Sequence, residues 1–288
     1  MINNANMTSD ISTPLGPGSN TGAVTPPEGE SQRSRGGRGR RRAARTTQIL
    51  ALAMRQVETR GLDGLTLQEI ARDLDYSVPA LYRYFPSKAA LVAELQRRVV
   101  ALLDMKLAQV EARTGEWLAE LRPEAASQWG PLAPIAAAGL FYAGLARSAP
   151  QAFGLLAASL GDPRHLIEDD QARAVVATAL PIFDRLAQSI DAAVEAGHLE
   201  PGEPMDRILV LWSSLHGVAQ VGKLERLAPD RLDVQNLCRS LLEVLLIGWG
   251  SEPERVATLL DALLTAGFTR VNVTADDLID VPASVEAL

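Results

Sequence analysis

Residues 66–88 read TLQEIARDLDYSVPALYRYFPSK. Two short helical patterns lie in this stretch, each with a hydroxyl ahead of it. Thr66 and Glu69 stand three apart, the capping-box spacing in which hydroxyl and carboxylate serve free backbone N–H groups. Leu67, Ile70, Ala71 and Leu74 then recur at three- and four-residue steps, the stripe of one helix face. Ser77 holds the place of a second N-cap. Pro79 falls in the first turn after it, where a missing N–H costs nothing. Pro86 ends that helix near Phe85 by restricting the residue before it, and Ser87 opens the next. Two helices of about eight residues with a short connection at 75–77 form a helix-turn-helix.

The residues just before supply its third wall. Ile49, Leu50, Ala53 and Val57 mark a helix that starts near Thr46 and stops at Gly61. Packed together, the three helices make a mini-core and leave one face of the last free, with Val78, Pro79, Tyr82 and Arg83 on it. The second helix of such a pair lies in the major groove of DNA. Phenols flanking it hydrogen-bond phosphate oxygens and hold the register, which accounts for Tyr82 and Tyr84 in a chain that is only 5% aromatic.

Charge agrees once it is placed. The chain's formal net charge is −7, yet residues 1–90 hold 12 Lys+Arg against 8 Asp+Glu, a net of +4. An acidic total thus hides a basic N-terminal part, the asymmetry of a protein with an anionic partner. Seven arginines fall within residues 33–45, with no acid among them. The expectation is an extended arm, with Arg38, Arg40, Arg41, Arg42 and Arg45 placed to reach an adjacent minor groove. Residues 1–32, rich in Asn, Ser, Thr, Gly and Pro, are expected to be disordered.

The rest reads as helix throughout: Ser87 to about Arg113, then 131–147, 150–160, 165–196, 205–226, 231–249 and 252–266. Breaks are expected at Gly115, Gly130-Pro131, Pro150, Gly161-Asp162-Pro163, Gly197 to Pro204, Pro229 and Gly250. Phe268 to Val273 is the only β-like run. The fold class is all-α. The expected domains are an extension over 1–45, a helix-turn-helix domain over 46–92, a larger helical domain over 93–267 and a loosely ordered tail over 268–288. The single cysteine, Cys238, sits in an apolar run and reads as a core residue of a cytoplasmic protein. No run is long enough to span a membrane. The three histidines, His165, His198 and His216, lie in separate segments. With no metal spacing, nucleophile motif or phosphate loop, no enzyme activity, metal or cofactor is expected.

The pattern Thr66-x3-Ile70-Ala71-x2-Leu74-x2-Ser77-x2-Ala80-Leu81-Tyr82-x-Tyr84-Phe85-x2-Lys88 resembles the DNA-binding signature of the TetR/AcrR family of bacterial transcriptional regulators, over about residues 46–95. The resemblance implies a homodimer on a palindromic operator in double-stranded DNA, with a helical C-terminal domain for ligand and dimerisation. Position by position, Thr66, Tyr82, Tyr84 and Lys88 match the family's phosphate-contacting places. Gln68, Val78, Pro79 and Ala80 fall where base contacts usually lie, and Ser77 and Arg83 complete the DNA-facing set. Gln68 suits adenine, and Arg83 suits guanine or phosphate. Asp75 departs from the Gly usual in the turn.

The C-terminal part resembles the family more weakly. Tyr142 to Phe153 is similar to a segment near the ligand pocket of many members, and Trp212-x3-His216-Gly217 to a subfamily pattern. This implies a four-helix bundle between protomers, built from helices near 205–226 and 231–249. Leu237, Leu241, Val244, Leu245 and Gly248 form its stripe, and Gly217 permits close approach. It also implies a pocket between helices near 91–113, 131–147, 165–196 and 205–221. The candidate lining is Trp117, Phe141, Tyr142, Phe153, Phe183 and Trp212, with His216 as the polar group. The stretches 131–146 and 174–183 contain no charged residue, which favours a neutral, largely apolar effector. The expected function is a repressor released by that effector. The alternative is an architectural DNA-binding protein that binds no ligand.

Overall fold

The computed structural model describes residues 28–161, 169–273 and Asp277. Residues 45–288 form one compact unit and residues 1–44 a separate one. Among the described residues every regular element is a helix.

The first helix, α1, runs over Glu28–Arg60. The arginine run is therefore helical, where the sequence reading had an extended arm and a start at Thr46. Arg and Ala are both strong helix formers, and Pro26-Pro27 followed by Glu28 and Glu30 is a helix-start pattern. Self-repulsion of the charges was given too much weight. Residues 28–32, expected to be disordered with the rest of 1–32, form the start of α1, and residues 1–27 lie outside the described residues. Gly61 closes α1 at φ 73°, its N–H on the Val57 carbonyl.

The next two helices are α2 (Leu67–Asp73) and α3 (Val78–Tyr82). Thr66 caps α2 through its hydroxyl, which accepts from the Glu69 N–H at 3.4 Å. The reciprocal half of the capping box is absent. The Thr66 N–H goes instead to Gln56 Oε1 of α1 at 3.1 Å, and the Glu69 carboxylate pairs with Arg60 at 2.6 Å. Both substitutions tie the start of α2 to α1. Between α2 and α3 the chain turns at Asp75, φ 55°, the only non-glycine with positive φ among the described residues. Tyr76 N–H reaches the Ala71 carbonyl and Asp75 N–H the Arg72 carbonyl, the two bonds of a Schellman motif. Asp thus does what Gly usually does here, at some steric cost. Ile49, Ala53, Ile70 and Leu81 are fully buried between the three helices.

Ser87 caps the long α4 (Lys88–Glu120) by accepting from Ala90 N–H. Helix α4 passes straight through Gly115, where a break was expected. A single Gly costs only about 1 kcal/mol in a helix, and Trp117 beyond it has partners to keep. A short α5 (Pro123–Trp129), not expected from sequence, follows. Then come α6 (Ala133–Ser148), α7 (Pro150–Gly161), α8 (Asp169–Glu195) and α9 (Pro204–Val221), with a 3-10 turn over Gly222–Leu227. The chain ends in α10 (Val234–Gly248) and α11 (Pro253–Thr265). The expected start of α8 near His165 lies outside the described residues.

Helix α6 is the axis of the C-terminal bundle. Every residue from Ala133 to Leu145 except Pro134 is buried, which is why its sequence is apolar all round. Helices α4, α8, α9, α10 and α7 pack around it. Arg185 of α8 clamps α4 through Asp104 at 2.6 Å. Residues 268–273 are neither strand nor loose tail. Phe268 is fully buried, its ring against Trp117 and beneath the Arg113 guanidinium. Val271 and Val273 also pack on the core. The alternating apolar pattern there reflects one-sided docking of an irregular segment. Beyond 273 only Asp277 is described.

Candidate nucleic-acid interface and effector cavity

The outer surface of the helix-turn-helix is polar and aromatic. Gln68, Ser77, Pro79, Tyr82, Arg83 and Lys88 are exposed. Tyr82 leaves 43% of its surface open despite its size. Val78, Ala80 and Tyr84 are half-buried, and Val78 and Tyr84 pack against the mini-core. Tyr84 stacks on Tyr76 with ring centroids 6.5 Å apart, and the Arg45 guanidinium lies 5.3 Å above the Tyr76 ring. Such a cation over an aromatic face is held by the ring quadrupole. Tyr76 was missed from sequence, although it stands one residue from the predicted N-cap. The aromatic ladder sets the Arg45 side chain beside the turn.

Two of the predicted phosphate contacts have partners inside the protein. Thr66 serves α2 as described above, with both its hydroxyl and its N–H engaged. Lys88 donates to the Asp63 carbonyl at 3.3 Å, within reach of the surface because the residue is exposed. Arg40, Arg41, Arg42 and Arg45 are exposed on α1; Arg38 lies on the same helix, with its side chain outside the described residues. The spacing 41, 42, 45 sets three of these arginines on one helix face.

In the C-terminal bundle a cavity of about 120 Å³ opens between α4, α6, α8 and α9, with Leu156 of α7 closing it. Its walls are apolar and no charged side chain lines it. Tyr142, Phe183 and Trp212 take part in the lining. Around them runs one aromatic cluster: Phe183 on Trp212 at 5.6 Å, Trp212 to His216 at 5.7 Å, His216 to Phe153 at 4.8 Å and Phe153 to Tyr142 at 6.0 Å. A second, more polar pocket of about 410 Å³ lies beyond Phe153, toward Arg147, Gln235 and Glu225.

Residues 49–95 match the family described as bacterial regulatory proteins, tetR family, and residues 135–245 match the tetracyclin repressor-like C-terminal domain. The chain belongs to the TetR family. It is a DNA-binding transcriptional regulator of that family. Two solved structures share its fold. One is a protein of unknown function from Rhodococcus sp. RHA1, 22% identical, covering 72% of this chain and 95% of its own, TM-score 0.54. The other is a tetR-family bacterial regulatory protein from Rhodococcus RHA1, 17% identical, covering 72% and 97%, TM-score 0.50. No curated protein matches the chain.

Seen as a TetR-family domain, the bundle gathers five of the seven predicted pocket residues into one aromatic cluster, of which Tyr142, Phe183 and Trp212 line the cavity, Phe153 lines the second pocket and His216 lines neither. Two predictions are corrected. Trp117 stacks flat on Trp129 at 5.8 Å near the far end of α4 and helps hold Phe268, so its role is structural. Phe141 faces Val99, Leu102 and Val273, one side of α6 away from the cavity. Adjacent residues on a helix point about 100° apart, and the rotation of α6 turns Tyr142 to the cavity and Phe141 to the other side. Sequence reasoning missed the aliphatic lining, Leu103, Ile182 and Leu211 among it. The hint was Ala136-Ala137-Ala138-Gly139, whose small side chains leave room: Ala138 and Gly139 line the cavity.

Of the predicted dimer residues, Leu237, Val244, Gly217 and Gly248 are exposed and Leu241 and Leu245 half-buried. Val244 leaves 66% of its surface open. Cys238, Leu242 and Leu246 on the opposite face of α10 are buried, and burial pushes the Cys238 thiol up to about 11. Among the described residues no group of side chains could hold a metal ion, and no single helix is long and apolar enough to cross a membrane.

Proposed function

We propose that the protein is a homodimeric repressor that binds a palindromic operator and leaves it when a small apolar molecule enters the bundle cavity. The observation that carries the DNA half is α3. A mini-core lies behind it, and Pro79, Tyr82 and Arg83 are exposed to solvent in front of it, flanked by Gln68 and Lys88. Phosphate contacts from Tyr82, Lys88 and the α1 arginines fix register, and Gln68 and Arg83 read bases. Exposed apolar side chains on α9 and α10, from Leu209 and Val210 to Leu237 and Val244, support a second copy as their cover. Surfaces of this kind on a monomer mark association sites.

Release follows from α4. Its first turn is pinned to the reading unit through Lys88 and Asp63, and about three to five turns further on Val100, Leu103 and Leu107 wall the cavity. A ligand that binds one tilt of α4 better than another shifts the separation of the two reading helices. Successive major grooves on one face of DNA lie about 34–36 Å apart, and a dimer off that spacing loses its contacts in pairs.

The test is a footprint of the full chain on the DNA flanking its own gene, with oligomeric state measured by sedimentation. One protected palindrome at a dimer stoichiometry is the expected result. Continuous protection without a preferred site, lost steeply with salt, would replace this reading with an architectural role for the basic helix.

A further inference from the structure

The larger hollow of the bundle has no part in the repressor mechanism above. It lies between α6, α7, α9 and α10, with the 3-10 turn and Thr269 at its edges, and its volume is about 410 Å³. No described residue lines both this pocket and the smaller cavity. Its space comes from the sequence. Helix α6 lends it Ala143 and Ala146, and α7 lends it Gly154 and Ala157, so four wall positions carry a methyl group or less. A Cβ on Gly154 would meet nothing within 4 Å.

The walls are graded in polarity. Ala143, Phe153, Ala219 and Val234 are buried and give an apolar interior. The polar lining, Arg147, Gln220, Glu225 and Gln235, is exposed or half-buried. A pocket graded in this way fits a molecule with an apolar body and a polar head.

The charges choose the head. Arg147 and Glu225 are the charged residues of the described lining. Arg147 donates from Nη1 to Gln235 Oε1 at 3.1 Å. That partner is neutral, and among the described residues no carboxylate stands within ion-pair distance of Arg147. A guanidinium carries its donors in a planar fork that matches a carboxylate, and Gln235 takes one of them. Glu225 acts in the opposite sense and repels a second negative charge on the same ligand. The two together suit a monoanion and disfavour a dianion such as a phosphate monoester.

We propose that this pocket is a second ligand site, for a monocarboxylate with an apolar body: the carboxylate on Arg147, the body over Phe153 and Val234. The site is separate from the cavity of the apolar effector and does not depend on that reading. Size supports a body larger than one ring. The pocket well exceeds the roughly 150 Å³ engineered cavity that takes up benzene, and it falls within the ~300–1,000 Å³ of ligand sites. Arg147 also stands in the last turn of α6, where any cation offsets the helix dipole. That structural role alone would give no preference among ligands, so head-group selectivity separates the two.

The probes are octanoate, 1-octanol and octylamine, which share a chain and differ in the head, titrated calorimetrically into the full-length protein near neutral pH. Octanoate is expected to bind about tenfold more tightly than octanol. This is the low end for hydrogen bonds to a charged group, because Arg147 is exposed and water screens it. In Arg147→Gln, a change at an exposed position, the ratio should fall to about one with octanol binding retained. Gly154→Leu sends a side chain into the pocket and should weaken octanoate about tenfold or more. Octyl phosphate, largely dianionic near neutral pH, should bind more weakly than octanoate. Equal binding of octanoate and octanol to the parent protein would overturn the proposal, as would a ratio unchanged in Arg147→Gln. Octylamine binding more tightly than octanoate would give the selection to Glu225 and overturn it too. Undiminished octanoate binding in Gly154→Leu would put the chain elsewhere and overturn the site, while leaving the apolar cavity and its effector untouched.

Discussion

The helix-turn-helix and the C-terminal bundle use their aromatic residues in opposite ways. In the first, aliphatic side chains fill the centre, and Tyr76, Tyr82 and Tyr84 lie at or near the surface. In the second, Tyr142, Phe183 and Trp212 turn inward and line a void. A reading head needs a rigid base and a wet face. A ligand chamber needs a wall with few polar groups, each placed for one purpose. The contrast predicts where each region is stiff.

The largest expected effect tests that stiffness directly. Leu81 is fully buried at the centre of the three-helix unit. Leu81→Ala should cost about 3–5 kcal/mol and abolish DNA binding, because so small a core has little to collapse with. Leu211 is nearly as buried but lines the cavity. Leu211→Ala should cost nearer ~2 kcal/mol, since atoms facing a void have fewer contacts to lose. Chemical denaturation of both variants checks this. Equal losses would mean that the cavity is closed in solution.

A second contrast concerns two glycines of the bundle. A Cβ on Gly144 would land on the Thr269 carbonyl oxygen, which is backbone and cannot step aside. Gly144→Ala should cost about 1–3 kcal/mol and loosen residues 268–273, seen as faster amide exchange there. Gly154 meets nothing within 4 Å. Gly154→Ala should be stabilising by roughly 0.5–1 kcal/mol, the gain of Ala over Gly in a helix. If Gly144→Ala leaves exchange unchanged, the docked segment is not held as described.

On the DNA side, Gln56 is buried and accepts the Thr66 N–H. Gln56→Ala leaves that donor without a partner and should cost ~1–3 kcal/mol. Operator affinity should fall with it, because the start of α2 loses its tie to α1. Unchanged melting and affinity would return the N–H to solvent and restore the ordinary capping box with Glu69.

The two regions also differ in how far the sequence disclosed them. The helix-turn-helix was legible because its signals are local: a cap, a Pro in a first turn and a stripe over a few residues. Even there, the partner of the Thr66 N–H was hidden, because Gln56 is ten residues away and on another helix. The bundle's helices were legible from their breaks, apart from α5 and the passage of α4 through Gly115. Its cavity was only partly so. Phe141 and Tyr142 look alike in sequence, and only the rotation of α6 against its neighbours separates wall from backing. Trp117 looked like a pocket residue until Trp129 and Phe268, distant in sequence, were found against it. The helical state of the arginine run was misread because propensity and repulsion oppose each other there.

The smallest expected effect is the most diagnostic for assembly. Gly217 lies exposed on α9, with nothing within 4 Å of where a Cβ would stand. In an isolated protomer Gly217→Ala should therefore stabilise the helix by roughly 0.5–1 kcal/mol. If α9 and α10 pair with a second copy, the same methyl meets the partner and pushes the helices apart. The two terms oppose, so the net change in melting temperature is small, but its sign depends on concentration. Stabilisation should appear at dilutions where the protein is monomeric and shrink or reverse where it is dimeric. Melting curves across a hundredfold range of concentration, with sedimentation at the same points, measure this. Uniform stabilisation at every concentration would mean that the Gly217 face stays open in the dimer and that the subunits meet elsewhere.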